Sequence, residues 1–281
     1  MELHCACLGP QAARAFSCKP PFQVRSVFGK VINLMSEAGS VAVQTAGSAI
    51  TPLTAMVDEV QFSRMAQILK PGMQLSGVRL NKPSSIECDI EPAHAPPPGF
   101  AEQLERAAEL FASEASLAFA VMGGKENQLS PAQLAAIDIL VLAERHFSEL
   151  RWSDMADDLQ MLTGLGPGLT PAGDDFLIGV LAACVRWDGR EVSKRMGQLL
   201  KKAVLAHPES TTWLAAELLK CAACGEFAPS IIRVLKARGK TEMMLAAAQG
   251  ASCGHTSGSD ALGGMLWLSK LASKSAELTP A

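Results

Sequence analysis

A proline run at residues 92–98 (PAHAPPP) divides this chain into two parts whose apolar residues recur with different periods. The period decides which element a segment can form. Before the run, short stretches alternate apolar and polar residues: Phe22–Val27, Val41–Thr45, Met73–Leu80 and Ile86–Ile90. Turn formers such as Lys70-Pro71-Gly72 and Asn81-Lys82-Pro83 separate them. These stretches read as strands, with a helix around Asp58–Leu69. After the run, apolar residues return at three- and four-residue steps, as in Ala101–Ala120. Ser130-Pro131 then supplies a cap followed by proline at the first helical position. Further helices are expected near Trp152–Leu162, Ala172–Trp187, Val192–Leu205, Thr212–Cys224, Pro229–Ala237 and Asp260–Ala272. The pattern predicts an α+β fold, with a β-rich domain over residues 1–98 and a helical domain over 99–281. The proline run is the linker between them.

Composition narrows the partners. With 25 basic and 28 acidic residues the net charge is −3, and no basic stripe appears, which argues against nucleic acid. The first twenty residues lack an apolar run of signal-peptide length, and the longest apolar stretch, Phe176–Val185, is too short to span a membrane. The expectation is a cytoplasmic protein with reduced thiols, because the eight cysteines follow no regular framework.

The chemistry concentrates in Gly164–Phe176 (GLGPGLTPAGDDF). Gly164, Gly166 and Gly168 can take positive φ and let a ligand approach bare backbone. Thr170-Pro171 reads as a cap and first helical residue, and Gly173, Asp174 and Asp175 follow in the opening turn of an apolar helix. A glycine loop entering a helix presents unpaired N–H groups and the positive end of the helix dipole, so it suits phosphate or carboxylate. The same segment also reads as a well-capped turn between helices. The two aspartates favour the helix start but repel an anion, unless they take Mg²⁺ or a hydrogen-bond donor. Mg²⁺ is the one cofactor these residues suggest.

A second segment repeats the first. Gly258-Ser259-Asp260-Ala261-Leu262-Gly263-Gly264 follows the Gly-x-Asp-x-Leu-x-Gly pattern of Gly173–Gly179, 85 residues earlier. Hydroxyl residues precede each, Thr170 in one case and Thr256 and Ser257 in the other. Two helix starts with matching roles are expected, facing one cleft, with Asp175 and Asp260 equivalent. His255 precedes the second start and could hold a loop carbonyl or act as acid or base, since imidazole titrates near neutrality. Other features read as structural. Cys221-Ala-Ala-Cys224 lies within a helical run with no second pair for zinc. Cys5 and Cys7 alternate as on a strand face. His4, His94, His146 and His207 stand alone. Lys201-Lys202 and the group Arg233, Lys236, Arg238 and Lys240 read as solvated helix faces.

On Gly164–Gly179 (GLGPGLTPAGDDFLIG) and Gly254–Gly264 (GHTSGSDALGG), the sequence resembles the AllH-type family, associated with the third subunit of oxamate carbamoyltransferase. Ser26-Val27-Phe28 with Ile32-Asn33-Leu34, and Ser210–Thr212 with Leu218-Leu219 and Gly225-Glu226-Phe227, resemble two further family segments. The resemblance implies carbamoyl transfer between oxalurate and phosphate, giving oxamate and carbamoyl phosphate in allantoin breakdown. It also implies partner subunits. The phosphate loop Ser-Thr-Arg-Thr-Arg of ordinary carbamoyltransferases is absent from the sequence. On this reading Asp175, Asp260 and His255 are catalytic. Gly164, Gly166, Gly168, Thr170, Gly173, Asp174, Thr256, Ser257 and Gly258 bind a small anionic substrate. Two other readings stand beside it: a non-catalytic anion-binding or assembly subunit, and a metal-dependent phosphoryl or acyl transferase.

Overall fold

The computed structural model describes residues 2–19, 21–81, 83–188 and 191–278. The fold is α+β, strands first and helices after. The chain separates into two compact units. One comprises Met1–Asp89 with Glu226–Pro229, the other Ile90–Gly225 with Ser230–Ala281.

The first unit runs β1 (Glu2–Leu3), β2 (Cys5–Leu8), α1 (Pro10–Ser17), β3 (Phe22–Val27), β4 (Val31–Ser36), β5 (Gly39–Gln44), β6 (Thr54–Val57), α2 (Glu59–Ile68), β7 (Gln74–Leu75), β8 (Arg79–Leu80) and β9 (Ser84–Ser85). A seven-stranded sheet has the order β7-β3-β4-β5-β6-β2-β9. Its centre is an antiparallel meander, β3 to β5, in which Val24 faces Leu34 and Ile32 faces Val43. β6 then joins β5 in parallel. The expected strand Phe22–Val27 forms with those bounds, and Asp58 caps α2 by accepting from the Gln61 N–H at 2.7 Å. Met73–Leu80 differs from expectation. It forms two short strands around the Gly77 turn, β7 at the edge of the seven-stranded sheet and β8 paired in parallel with β1 in a separate two-stranded sheet. Ile86–Ile90 forms no strand, only a bridge from Asp89 to Glu226. Lys82 lies outside the described residues. Apolar faces of the strands meet Ala12, Ala15 and Phe16 of α1 and Phe62 and Met65 of α2 in one core. The segment Glu226–Pro229 returns from far along the chain. The Phe227 N–H donates to Cys88 O at 2.7 Å, and the buried Glu226 carboxylate takes both terminal nitrogens of Arg14.

The second unit is helical: α3 (Phe100–Phe111), α4 (Leu117–Val121), α5 (Pro131–Ser148), α6 (Trp152–Gln160), α7 (Ala172–Arg186), α8 (Glu191–Ala206), α9 (Trp213–Ala223), α10 (Pro229–Lys236), α11 (Lys240–Ala251) and α12 (Ser257–Leu278). Ser130 caps α5 through a full capping box with Gln133. The expected helix Ala101–Ala120 breaks in two, because Ser113–Ser116 turns the chain before α4. The apolar helix α7 is not buried on one face alone. Instead every residue from Gly173 to Cys184 is buried, since α8, α9 and α12 pack around it. α7 and α12 form the centre of this unit. Trp187 and Phe100 close one end edge-to-face at 5.3 Å, and Phe176 meets Trp267 at 6.2 Å. All eight cysteines are free thiols, as expected, with Cys221 buried in α9 and Cys224 exposed beyond it. No helix of the described residues is long and apolar enough to cross a membrane.

Candidate functional site at two helix starts

The centre of the helical unit is a repeated hairpin. α6 leads through a glycine loop into α7, and α11 leads through a shorter loop into α12. Equivalent atoms make equivalent contacts. The Gly173 N–H donates to Leu165 O, and the Gly258 N–H donates to Cys253 O. A Cβ on Gly173 would lie 1.9 Å from Leu162 O, and one on Gly258 would lie 1.8 Å from Gly250 O. Between the helices the contact is reciprocal. A Cβ on Gly179 would strike Ala261 O at 2.1 Å, while one on Gly264 would strike Phe176 O at 2.0 Å. Gly179 corresponds to Gly264 in the repeat, and Phe176 to Ala261. Each helix therefore rests its second glycine on the same carbonyl of the other, and only glycine permits that approach. The preceding residues, Leu162 with Gly250 and Leu165 with Cys253, match at a spacing of 88 rather than 85. The first loop is accordingly three residues longer, and those residues include Gly166-Pro167-Gly168.

The longer loop has positive φ at Gly164, Gly166 and Gly168, of 76°, 111° and 103°. Gly164 donates its N–H to both oxygens of Asp174 at 3.2 Å, and the Thr211 hydroxyl donates to one of them. Asp174 thus fastens the loop from inside, and burial holds its carboxyl above the usual range. The Thr212 hydroxyl donates to Leu169 O and also caps α9. Among the described residues, the N–H groups of Gly166, Gly168, Leu169 and Thr170 make no hydrogen bond. They are the donors open to an anion; those of Gly164 and Gly173 are already used.

The cap of α7 departs from expectation. Pro171 is the capping residue and provides no side-chain bond, while the Thr170 hydroxyl turns away to Ser257 Oγ at 2.9 Å. This contact joins the two helix starts directly. Asp175 lies beneath it, 6% exposed. Burial pushes its carboxyl up to about 8; the Ser257 and Thr170 hydroxyls oppose the rise, and the charges of Asp260 and Asp174 add to it. Asp260 is fully buried, its Oδ1 accepting from the Leu117 N–H at 2.7 Å at the start of α4. Burial raises it to about 7, against bonds from Leu117 and Thr256. Among the described residues, Oδ2 of Asp175 and Oδ2 of Asp260 are buried with no hydrogen-bond partner.

The helix crossing thus brings Asp174, Asp175, Thr170, Thr256, Ser257 and Asp260 around two carboxyls within Coulombic reach of one another. Gly173 and Gly258 sit at the tight backbone crossings described above. Gly168 is exposed, with open space around it. His255 is exposed on its loop and bonded to no described group. No group of three or more His, Cys, Asp or Glu among the described residues could hold a metal ion, so Mg²⁺ would depend on Asp175 and Asp260 alone. Reasoning on local sequence misses Thr211 and Leu117. The hydroxyl run Ser210–Thr212 before an apolar helix was the available signal for Thr211. Leu117 contributes only its backbone, which no motif discloses.

No solved structure matches this chain. Residues 162–269, which hold both hairpin loops and the α7–α12 crossing, match the family model described as oxamate carbamoyltransferase subunit AllH, and over this stretch the chain is similar to that family.

Proposed function

We propose that this chain is a subunit of a carbamoyltransferase acting on small anionic substrates of the oxalurate, oxamate and carbamoyl phosphate type, in allantoin-type nitrogen breakdown. The open N–H groups of Gly166, Gly168, Leu169 and Thr170 hold a phosphate or carboxylate and stabilise charge that develops during transfer. Asp175 and Asp260 meet the carbamoyl end. A primary amide carries two N–H donors, and each aspartate has an unpartnered Oδ2. Asp175, held protonated near neutral pH, has a proton to give to the oxamate nitrogen as a phosphate oxygen bonds the carbamoyl carbon and the C–N bond breaks. His255 remains in this proposal as the exposed acid–base residue of the second loop.

The observation that carries the reading is the meeting of two loops through Thr170 and Ser257 above two buried carboxyls that lack partners. An ordinary interhelical turn has no use for an unpaired buried oxygen, which costs about 1–3 kcal/mol. In the enzyme assembled with its partner subunits, Asp175→Asn is expected to lower turnover at least a hundredfold with assembly intact. Unchanged turnover would remove Asp175 from the chemistry. One observation favours the reading of a non-catalytic, anion-binding assembly subunit: Asp260 also ties down the start of α4 through Leu117. Under that reading Asp175→Asn leaves turnover intact while anion binding to the isolated chain persists.

A further inference from the structure

Away from the helix crossing, a cleft of about 580 Å³ opens between the first turn of α6 and one face of α8. Leu150, Arg151 and Trp152 form one wall, and Arg195, Leu199 and Lys202 the other. Its charges are unbalanced. Asp154 is engaged by Arg151 at 2.6 Å, and Arg151 also reaches Glu149 at 3.3 Å. Arg195 and Lys202 have no carboxylate partner among the described residues, and Arg195 instead lies over the Trp152 ring at 6.0 Å. The chain as a whole is negative, with a net charge of −3. Two cations with no carboxylate partner among the described residues, on one cleft of an acidic chain, point to an outside anion more than they would on a basic protein.

Spacing selects the occupant. Arg195 and Lys202 are seven residues apart on α8, about 10 Å along the axis. A single phosphate cannot bridge that distance. A peptide in the polyproline II conformation, with three residues per turn and a rise of about 3.1 Å, places residues three apart on one face at about 9 Å. Between the two cations lie Leu199 and, opposite it, Trp152 and Leu150; Leu150 is 69% exposed and held at φ 59°. Tryptophan and arginine around an apolar patch are the residues that anchor protein interfaces. We infer that this cleft docks an acidic segment of a partner subunit, with two carboxylates on Arg195 and Lys202 and an apolar side chain between them on Leu199 and Trp152. The inference rests on the subunit role proposed above and adds to it the face that receives the partner and the chemistry it reads.

The test uses the full chain co-expressed with the other carbamoyltransferase subunits. The double charge reversal Arg195→Glu, Lys202→Glu is expected to weaken assembly at least tenfold with the unfolding midpoint unchanged, while Arg195→Lys, Lys202→Arg assembles normally. A photo-crosslinking residue at position 199 should capture a partner peptide containing two acids. Wild-type assembly that survives the charge reversal would overturn the docking face but leave the subunit role standing. Failure of the wild-type chain to assemble would overturn both. Stabilisation by a nucleotide such as AMP that the charge reversal abolishes, with assembly unaffected, would give the cleft to a small ligand instead.

Discussion

Replacing Asp175 by asparagine should flatten the pH dependence of stability. In the fold the Asp175 carboxyl is raised from 3.8 to about 8 and that of Asp260 to about 7, chiefly by burial. A carboxyl raised in the folded state binds its proton more tightly there than in the unfolded chain. Its contribution is therefore complete below about pH 4 and is lost as pH rises to about 8. Each such group lowers the unfolding free energy by up to about 1.4 kcal/mol per pH unit within that window. The two together give the wild type a slope approaching about 2.7 kcal/mol per pH unit between pH 5 and 7. Asparagine matches the protonated acid in shape and stays neutral across this pH range. The variant should equal wild type near pH 4.5, keep about half its slope, and exceed it by several kcal/mol at pH 8.5. Urea unfolding followed by circular dichroism from pH 4.5 to 8.5 measures this. Parallel curves for the two proteins, with no gain at high pH, would show that Asp175 ionises freely and would refute the buried-pair account.

Other perturbations probe separate parts of the structure. Gly179→Ala and Gly264→Ala each place a methyl about 2 Å from a backbone carbonyl of the opposite helix, so each should cost about 3 kcal/mol or more by chemical denaturation. Similar losses for the two would bear out the reciprocal contact, and a silent substitution at either would contradict it. Thr170→Val removes the 2.9 Å bond to Ser257 and one hydroxyl that holds Asp175 down. It should cost about 1 kcal/mol and move the Asp175 titration, read by carboxyl infrared difference spectra, to higher pH. Arg14→Ala leaves the buried carboxylate of Glu226 without its guanidinium and should destabilise the first unit by about 1–3 kcal/mol. Arg145→Ala, which breaks an exposed pair with Glu149, should leave the unfolding midpoint unchanged.

Local pattern and capping made much of the fold legible. The period-two stretch Phe22–Val27, the cap at Asp58 and the box at Ser130 each act within a few residues, so a short window of sequence contains their cause. The strands at Val31–Ser36 and Thr54–Val57 and the helix Lys240–Ala251 were not anticipated. The first two owe their form to neighbours in the sheet, and the helix owes its place to packing on α3 and α12. The return of Glu226–Pro229 to the first unit was also hidden, because the Cys88–Phe227 hydrogen bond joins residues far apart in sequence. At the candidate site, the repeat of Gly-x-Asp-x-Leu-x-Gly was visible as a pattern. What the pattern could not reveal is where its glycines make close backbone contacts, Gly173 and Gly258 within their own hairpins and Gly179 and Gly264 across the two helices. Nor could it reveal that Thr170 leaves its cap for Ser257, a bond across 87 positions. His255 stood out by type alone, and type does not place a side chain.

The central claim is that the longer loop and the buried acids beneath it form one site for a small anion. The most direct measurement is unfolding of the full chain with and without carbamoyl phosphate, oxamate or inorganic phosphate, in parallel with Gly168→Val, which forces a branched side chain onto φ 103°. At a hundred times its dissociation constant a ligand should add about 2.7 kcal/mol of stability to the wild type and little to the variant. Equal stabilisation of both proteins would place the anion elsewhere, and the account of the site would fail.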